Sequence, residues 1–177
     1  VLYISPLKAL GVDVENNLRA PLAGIARVAQ RLGRDMPDIS VGVRSGDTPQ
    51  AERNRQVRKP PDILITTPES LYLMLTSKAA GMLKTVDTGI VDEIHALAGT
   101  KRGVHLALSL ERLRRLAGDF QRIGLSATVC PIEAVANFLG PKTTIINPPG
   151  EKRWQLDVRV PVDDMSDLPV PEDASTI

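Results

Sequence analysis

Cysteine and aromatic residues are scarce in this sequence, and their scarcity excludes several classes of protein. Cys130 is the only cysteine, so no disulfide can form within the chain and no cluster of cysteines can bind zinc. Aromatic residues make up 3% of the chain, which is too few for base stacking to be the main way of binding nucleic acid. The single cysteine favours a cytoplasmic location.

Long apolar runs and phosphate-binding glycine loops are also missing. No apolar stretch approaches the roughly 20 residues that a membrane-spanning helix needs, so we expect no membrane partner. The pattern G-x-x-x-x-G-K-[ST] does not occur, and no glycine is followed by lysine. The sequence therefore lacks the loop that usually holds the β and γ phosphates of a bound nucleotide.

Charge is distributed unevenly along the chain, although the net charge is only +1. Residues 1–60 contain ten Lys or Arg and six Asp or Glu, a balance of +4, whereas residues 151–177 contain three and seven, a balance of −4. The basic part includes Arg53, Arg55 and Arg58, which could meet phosphates. Charge alone favours the simpler interpretation of a solvated basic helix.

Strand-like and helix-like stretches alternate along the first 147 residues. Strands are predicted at Val1–Ser5, Ile39–Arg44, Asp62–Thr67, Gly89–Glu93, Arg122–Thr128 and Thr143–Asn147. Helices are predicted at Ala9–Leu32, Pro49–Val57, Pro68–Ser77, Gly103–Leu116 and Ile132–Leu139. Strands that are apolar on both faces need helices on both sides. The fold class is therefore α/β, a doubly wound and mostly parallel sheet that binds ligands at the carboxyl ends of its strands.

The two ends of the chain suggest a piece of a larger protein. The run Pro148-Pro149-Gly150 marks a break, so we expect one domain over 1–147 and a connecting segment over 148–177. Within that segment Gln155–Val162 alternates like a further strand, and the acidic residues after it read as a linker. Val1 is not an initiator methionine, and a buried strand is predicted from the first residue.

Two adjacent carboxylates and a histidine end the fourth predicted strand, as Asp92-Glu93-Ile94-His95. Consecutive strand residues face opposite ways, so two neighbouring acids come together only where a strand stops and opens into a crevice. Such a position suits a metal–nucleotide site. The alternative is a pair of acids that simply solvates a strand end.

Hydroxyl residues stand at the ends of other predicted strands. Ser5-Pro6, Thr48-Pro49 and Thr67-Pro68 each place a hydroxyl before a proline, which is the ordinary pattern of a capped helix start. A helix start also presents unpaired N–H groups that favour phosphate. Ser126 and Thr128 offer two further hydroxyls at the end of the fifth predicted strand, where the alternative is turn chemistry ahead of the next helix.

Taken in order, the segments SPLKAL, SGD, TTPESL, DEIH and LSAT give the chain a family resemblance. Over about residues 1–147 it resembles the first motor domain of superfamily-two DExH-box helicases, and in particular the large helicase-related (Lhr) family. The resemblance implies a P-loop NTPase, or RecA-like, fold that uses ATP and Mg²⁺. It also implies that the phosphate loop lies upstream of Val1 and that a second motor domain follows, so that the chain alone is expected to be inactive.

The resemblance assigns roles to individual residues. Asp92 would hold the magnesium through water, Glu93 would orient and deprotonate the attacking water, and His95 would link the nucleotide site to the next motif. The segment Ser126-Ala127-Thr128 would couple hydrolysis to movement. The residues that would grip one nucleic-acid strand are Pro6, Leu7, Lys8, Gly46, Asp47, Thr67, Pro68 and Glu69.

The function implied is ATP-driven movement along a single strand or partial duplex, on DNA rather than RNA and in the 3′ to 5′ direction. Two alternatives stay open at the level of the sequence. One is an RNA helicase of a related DExH group. The other is a module that binds nucleic acid without hydrolysing nucleotide.

Overall fold

The computed structural model describes residues 1–127 and 131–148, and for residues 8–12 it describes the backbone alone. The strands are β1 (Leu2–Ile4), β2 (Val41–Arg44), β3 (Ile63–Thr66), β4 (Thr88–Val91) and β5 (Gln121–Gly124). The helices are α1 (Lys8–Arg31), α2 (Gln50–Arg58), α3 (Pro68–Leu75), a 3₁₀ helix (Lys78–Leu83), α4 (Ile94–Leu97), α5 (Lys101–Ala117) and α6 (Ile132–Leu139). Residues Val1–Ile145 form one compact unit. None of the described helices is both long and apolar enough to cross a membrane.

The five strands form one parallel sheet in the order β2-β3-β1-β4-β5. This arrangement confirms the predicted parallel α/β fold. β1 lies at the centre, between β3 and β4, although the chain visits both of these strands much later. Because all strands are parallel, their carboxyl ends share one edge of the sheet.

The core lies against one face of this sheet. Leu2, Ile4 and Val91 point to that face and are almost completely buried against apolar residues of α3, α5 and α6. On the other face α1 lies beside β2 and β3. Tyr3 and Ile90, which also point to that second face, are only half-buried. The expectation of helices on both sides therefore holds most fully at β2 and β3.

The predicted strand Thr143–Asn147 was wrong, because these residues have no regular secondary structure. Thr143 closes a turn instead, with its N–H and its hydroxyl both donating to the carbonyl of Gly140 at 3.3 and 2.8 Å. Ile146 is 87% exposed, so the side chain of this apolar residue is not buried in the core. The strand predicted at Gln155–Val162 and the segment 149–177 lie outside the described residues, and the domain boundary after residue 147 stays a prediction.

Of the three predicted hydroxyl caps, only Thr67 proves to be one. Its side chain accepts a hydrogen bond from the Ser70 N–H at 3.3 Å, and Pro68 opens α3. Helix α1 is instead preceded by Leu7, and α2 by Pro49. The Thr48 hydroxyl is engaged elsewhere, because it donates to the Val43 carbonyl at 3.2 Å and accepts from the Ser45 N–H at 2.9 Å.

Candidate functional site

Backbone pairing continues beyond the strands at the carboxyl edge of the sheet. The N–H of Ser5 donates to Thr66, that of Asp92 to Ile4 and that of Leu125 to Val91, each at 2.9 Å. This pairing fixes the first residue after β1, β4 and β5 relative to its neighbours. All the predicted site segments follow strands at this one edge. The backbone hydrogen bonds between neighbouring strands set the distances between these segments.

Asp92 and Glu93 make a sharp turn directly after β4. The Oδ1 atom of Asp92 accepts a hydrogen bond from the Glu93 N–H at 2.9 Å. Glu93 has φ 47° and ψ 41°, the left-handed conformation, and no other non-glycine residue of the described ranges has a positive φ. Such backbone strain concentrates at functional sites, so the conformation of Glu93 supports a functional role for this residue.

Tyr3 of β1 reaches Asp92 across the strand boundary. Burial, followed by the interaction with the Asp92 carboxylate and the charge of Glu93, raises the pKa of Tyr3 well above its usual value. Sequence reasoning missed this residue. The signal was available in the triplet Leu2-Tyr3-Ile4, where one hydroxyl-bearing side chain interrupts an apolar central strand.

His95 bridges the two motifs that follow β4 and β5. Its Nδ1 lies 3.2 Å from the Ser126 hydroxyl, and its Nε2 lies 3.4 Å from Oε2 of Glu93. The Nδ1 contact is a hydrogen bond whose donor and acceptor depend on the tautomer of the ring, whereas the Nε2 contact with Glu93 is a close approach without hydrogen-bond geometry. The Ile94 N–H, which donates to the Leu125 carbonyl at 3.0 Å, holds the two segments together. Ala127 is exposed, and Thr128 lies outside the described residues.

The turn that follows β2 carries Gly46 and Asp47, both exposed. Arg53 of α2 holds this turn, because its guanidinium donates to the carbonyls of Thr48, Ser45 and Gly46 at 2.8, 3.0 and 2.8 Å. The basic helix α2 is therefore more than a solvated charged surface. The hydrogen bonds of the Arg53 guanidinium stabilise the conformation of the turn.

The other predicted strand-binding segments follow β1 and β3. Pro6 is buried and Leu7 is 58% exposed, whereas the side chain of Lys8 lies outside the described residues. Thr67 and Pro68 are buried at the start of α3. Because β2, β3 and β1 are adjacent, the three segments lie side by side along half of the carboxyl edge.

Glu69 does not present a free carboxylate to a nucleic-acid strand. Arg102 at the start of α5 donates to both of its oxygens, from Nε at 2.5 Å and from a terminal nitrogen at 3.0 Å. The hydrogen bond from Arg102 is the main reason that the pKa of Glu69 falls to about 2. Both side chains are more than a third exposed, so the pair contributes little to stability. It does fix the start of α3 relative to α5.

The chain matches a known helicase family over most of its length. The model of the DEAD/DEAH box helicase family matches residues 1–135. A "Lhr helicase/ probable uracil glycosylase" of Mycolicibacterium smegmatis is 63% identical over 171 residues, which are 95% of this chain and 11% of the relative. An "ATP-dependent helicase Lhr-Core" of Methanothermobacter thermautotrophicus is 52% identical over 172 residues, 93% of this chain and 20% of the relative. The chain thus spans a fifth or less of these relatives.

Solved structures agree with the sequence matches. The Mycobacterium smegmatis helicase Lhr bound to ssDNA and AMP-PNP superposes with a TM-score of 0.83 at 62% identity, over 94% of this chain and 22% of that one. The DEAD-box helicase Mss116 superposes with a TM-score of 0.61 at 21% identity, over 78% of this chain and 27% of that one, which shows the fold alone. The predicted RecA-like fold and the resemblance to Lhr proteins are both confirmed. This chain belongs to the DEAD/DEAH box helicase family.

Proposed function

We propose that this chain forms part of an ATP-dependent DNA helicase, in which it supplies one half of the ATPase site and the contacts to one DNA strand. The observation that carries the proposal is the linked cluster of Asp92, Glu93, His95 and Ser126 at the ends of β4 and β5. The predicted strand-binding segments follow β1, β3 and β2 at the same edge. Nucleotide chemistry and strand binding thus occupy neighbouring halves of one edge.

The described residues suit magnesium better than a metal held by protein alone. No group of three His, Cys, Asp or Glu side chains within the described ranges could enclose a metal ion. Magnesium is usually held by one or two carboxylates, by water and by the phosphates of the nucleotide. The half-buried carboxylate of Asp92 fits that mode. A bound magnesium would neutralise charge that develops on the transferred phosphate.

Glu93 is the group that we assign to water activation. Its left-handed backbone carries the side chain out beyond Asp92, and 41% of that side chain is exposed. A carboxylate that is accessible to water can orient and deprotonate a nucleophile. The contact with His95 at 3.4 Å limits the positions that this carboxylate can take.

His95 and Ser126 are the proposed link between hydrolysis and movement. Any shift of Glu93 during turnover reaches Ser126 through one imidazole ring. Hydroxyl side chains exchange hydrogen-bond partners at little entropic cost, which suits a contact that must break and reform in each cycle. Ala127 and Thr128 complete the segment that we assign to coupling.

Strand binding is assigned to the neighbouring segments after β1, β2 and β3. The N–H groups at the starts of α1 and α3 and in the turn at Gly46 suit sugar–phosphate contacts that do not depend on base sequence. Pro6, Leu7, Asp47, Thr67 and Pro68 shape these segments, and Lys8 adds a positive charge. The Glu69 carboxylate is paired with Arg102 and fixes the start of α3, so we do not assign it a contact with phosphate.

DNA is the favoured track because the Lhr relative with 62% identity has been solved with ssDNA. The structure solved with ssRNA, that of Mss116, is only 21% identical. A cytoplasmic location stays a prediction, which rests on the single cysteine. A second motor domain remains the expected partner, as the resemblance to DExH-box helicases implies.

The choice of track can be tested in a complete helicase, by which we mean the Mycolicibacterium smegmatis relative with its matching segment replaced by this sequence. Matched DNA and RNA strands should be compared as loading tracks for strand displacement and as activators of ATP hydrolysis. We expect the DNA strand to support faster displacement. Preference for the RNA track would favour the RNA helicase alternative, and strand binding that is independent of nucleotide, without turnover, would favour a binding module.

The proposed sugar–phosphate contacts predict a specific effect of Lys8→Ala in the complete helicase. Affinity for single strands of every sequence should fall by a similar factor. The slope of log binding constant against log salt concentration should become shallower by about 0.7, the value for one lost phosphate contact on a single strand. Fluorescence anisotropy across a salt series would measure both. Lys84→Ala is the control, because Lys84 is exposed just before β4 at the opposite edge. Identical slopes for the two variants would remove Lys8 from the strand path.

A further inference from the structure

We propose that Arg53 is a positioning residue for strand binding, because it holds the turn after β2 so that the Gly46 N–H faces a phosphate of the bound strand. In the proposed function, on which this inference rests, that turn contacts one DNA strand. Arg53 itself lies on α2, outside the predicted strand-binding segments. Its guanidinium donates to the Thr48 carbonyl from Nε at 2.8 Å, and to the Ser45 and Gly46 carbonyls from Nη2 at 3.0 and 2.8 Å.

The position of these carbonyls fixes the direction of the N–H groups in the turn. In a planar trans peptide unit the C=O and the N–H point in opposite directions. Because the Ser45 carbonyl points to Arg53, the Gly46 N–H of the same peptide unit points away from Arg53. Gly46 is exposed, and its N–H has no acceptor among the residues that the structure describes. An exposed backbone N–H can donate to a phosphate oxygen without reading the base.

Two sets of hydrogen bonds hold different parts of this turn. Thr48 closes its ends, since its N–H donates to the Ser45 carbonyl at 3.3 Å and its hydroxyl accepts from the Ser45 N–H at 2.9 Å. The centre is the peptide unit between Gly46 and Asp47. Its N–H donates to the Ser45 hydroxyl at 3.3 Å, and its carbonyl accepts from Arg53. Arg53 therefore fixes the carbonyl side of the central peptide unit, which the closing bonds of Thr48 leave unrestrained.

Helix α2 can support the turn because it is itself attached to β2. The Arg44 guanidinium donates to the backbone carbonyl of Arg53 at 3.1 Å, and the side-chain amide of Gln56 donates to the Val43 carbonyl at 3.0 Å. Gln56 is only 3% exposed. Residues that orient a site act most precisely when packing and further hydrogen bonds hold their own positions. The end of β2, α2 and the turn thus form one connected unit.

A positioning role for Arg53 and a direct contact with phosphate predict different salt dependence. A cation that neutralises a phosphate releases counterions from the strand, whereas a neutral N–H does not. Loss of a direct contact would make the slope of log binding constant against log salt concentration shallower by about 0.7. Loss of the positioning role should weaken strand binding and leave that slope unchanged.

Arg53→Lys and Arg53→Gln in the complete helicase test the inference. Lysine keeps the positive charge but lacks the planar fork that reaches three carbonyls, and glutamine removes the charge as well. We expect both variants to bind an oligothymidylate strand about tenfold more weakly, the usual contribution of one hydrogen bond to a charged group. Fluorescence anisotropy across a salt series should show the wild-type slope for both. Wild-type affinity in Arg53→Lys with a shallower slope in Arg53→Gln would overturn the inference, because Arg53 would then contact phosphate directly.

Arg55→Gln is the matched control for charge on the same helix. Arg55 is exposed and pairs with Glu52 at 2.8 Å instead of bonding to the turn. Its removal should leave the affinity and the salt slope unchanged. Equal losses in Arg55→Gln and Arg53→Gln would mean that α2 acts through its overall charge, which would also overturn the inference.

Gly46→Pro separates the role of Arg53 from the role of the turn, because proline has no N–H to donate. Gly46 does not have a positive φ, and proline is favoured at the second position of common turns. If Gly46→Pro weakens strand binding and the two Arg53 variants do not, the inference is overturned while the turn keeps its proposed role. If none of the three variants weakens it, the proposed strand contact of this turn fails as well.

Two further measurements distinguish positioning from a general loss of structure. The DNA concentration that half-activates ATP hydrolysis should rise about tenfold in Arg53→Lys, in parallel with the weaker binding, while maximal turnover and the affinity for AMP-PNP without DNA stay at the wild-type values. The double variant of Arg53→Lys and Gly46→Pro should bind the strand no more weakly than Gly46→Pro alone. Additive losses, or a lower affinity for AMP-PNP, would show that Arg53 acts by a route other than the Gly46 N–H and would overturn the inference.

Discussion

Glu93→Gln is expected to lower ATP turnover by the complete helicase by a factor of about 10² to 10⁴, the usual loss when a positioned general base is removed. Glutamine keeps the length and shape of glutamate but cannot take a proton from water. Binding of AMP-PNP should be largely unchanged, because the loss concerns a step after binding. Steady-state hydrolysis and equilibrium nucleotide binding, measured on the same preparation, would test both statements.

The backbone at Glu93 makes glutamine the informative replacement. Glutamate and glutamine face the same steric cost at φ 47°, so the change in rate reports the carboxylate and not a relaxed turn. Glu133→Gln, an exposed site in the first turn of α6, is the control and should leave turnover unchanged. Turnover near the wild-type value in Glu93→Gln would show that another group activates the water.

Local pattern was sufficient to predict the strands that carry the site. The apolar run before Asp92 and the hydroxyl residues after β1 and β3 indicated strand ends close to the observed ones, and all described segments lie at the carboxyl edge. The predicted end of the fifth strand at Thr128 was wrong, because β5 already ends at Gly124. Elements too short to show a period were missed. Helix α4 has four residues, about one turn, and no amphipathic pattern can emerge over that length.

Contacts between distant segments could not be predicted from local pattern. β1 pairs with β3 and β4, and nothing in the order of the sequence dictates that β1 becomes the central strand. The proximity of Tyr3 and Asp92 depends on this pairing and on its register. The pair of Arg102 and Glu69 joins residues 33 positions apart, and it follows from the packing of α3 beside α5.

The order of the strands separates the carboxyl edge of the sheet into two halves with different proposed functions. Ends of β4 and β5 carry the proposed nucleotide residues, and ends of β1, β3 and β2 carry the proposed strand contacts. Connections cross between the halves: the Asp92 N–H donates to the Ile4 carbonyl at the end of β1, and Arg102 of α5 holds Glu69 at the start of α3. Helices α4 and α5 follow directly after Glu93, so their packing should matter for the site.

Gly103→Ala tests that packing and is expected to destabilise the chain by about 3 kcal/mol, the upper part of the usual range for overpacking. A Cβ atom at Gly103 would overlap the carbonyl group of Leu97, which ends α4, and would press on the ring of Phe138 in α6. Gly103 also donates its N–H to the Thr100 cap at 3.0 Å. Backbone cannot move aside as a flexible side chain can, so α4 or α5 must shift.

Gly24→Ala is the matched control, the same substitution inside a helix. Nothing lies within 4 Å of a Cβ atom at Gly24 in α1, so alanine should stabilise the chain by about 0.5–1 kcal/mol through its higher helix propensity. In urea unfolding of the 177-residue chain, Gly103→Ala should unfold at a lower urea concentration than the wild type and Gly24→Ala at a higher one. A Gly103→Ala midpoint at or above the wild-type value would mean that α4 and α5 do not pack as closely as described. The support that they give to Glu93 and His95 would then have to come from elsewhere.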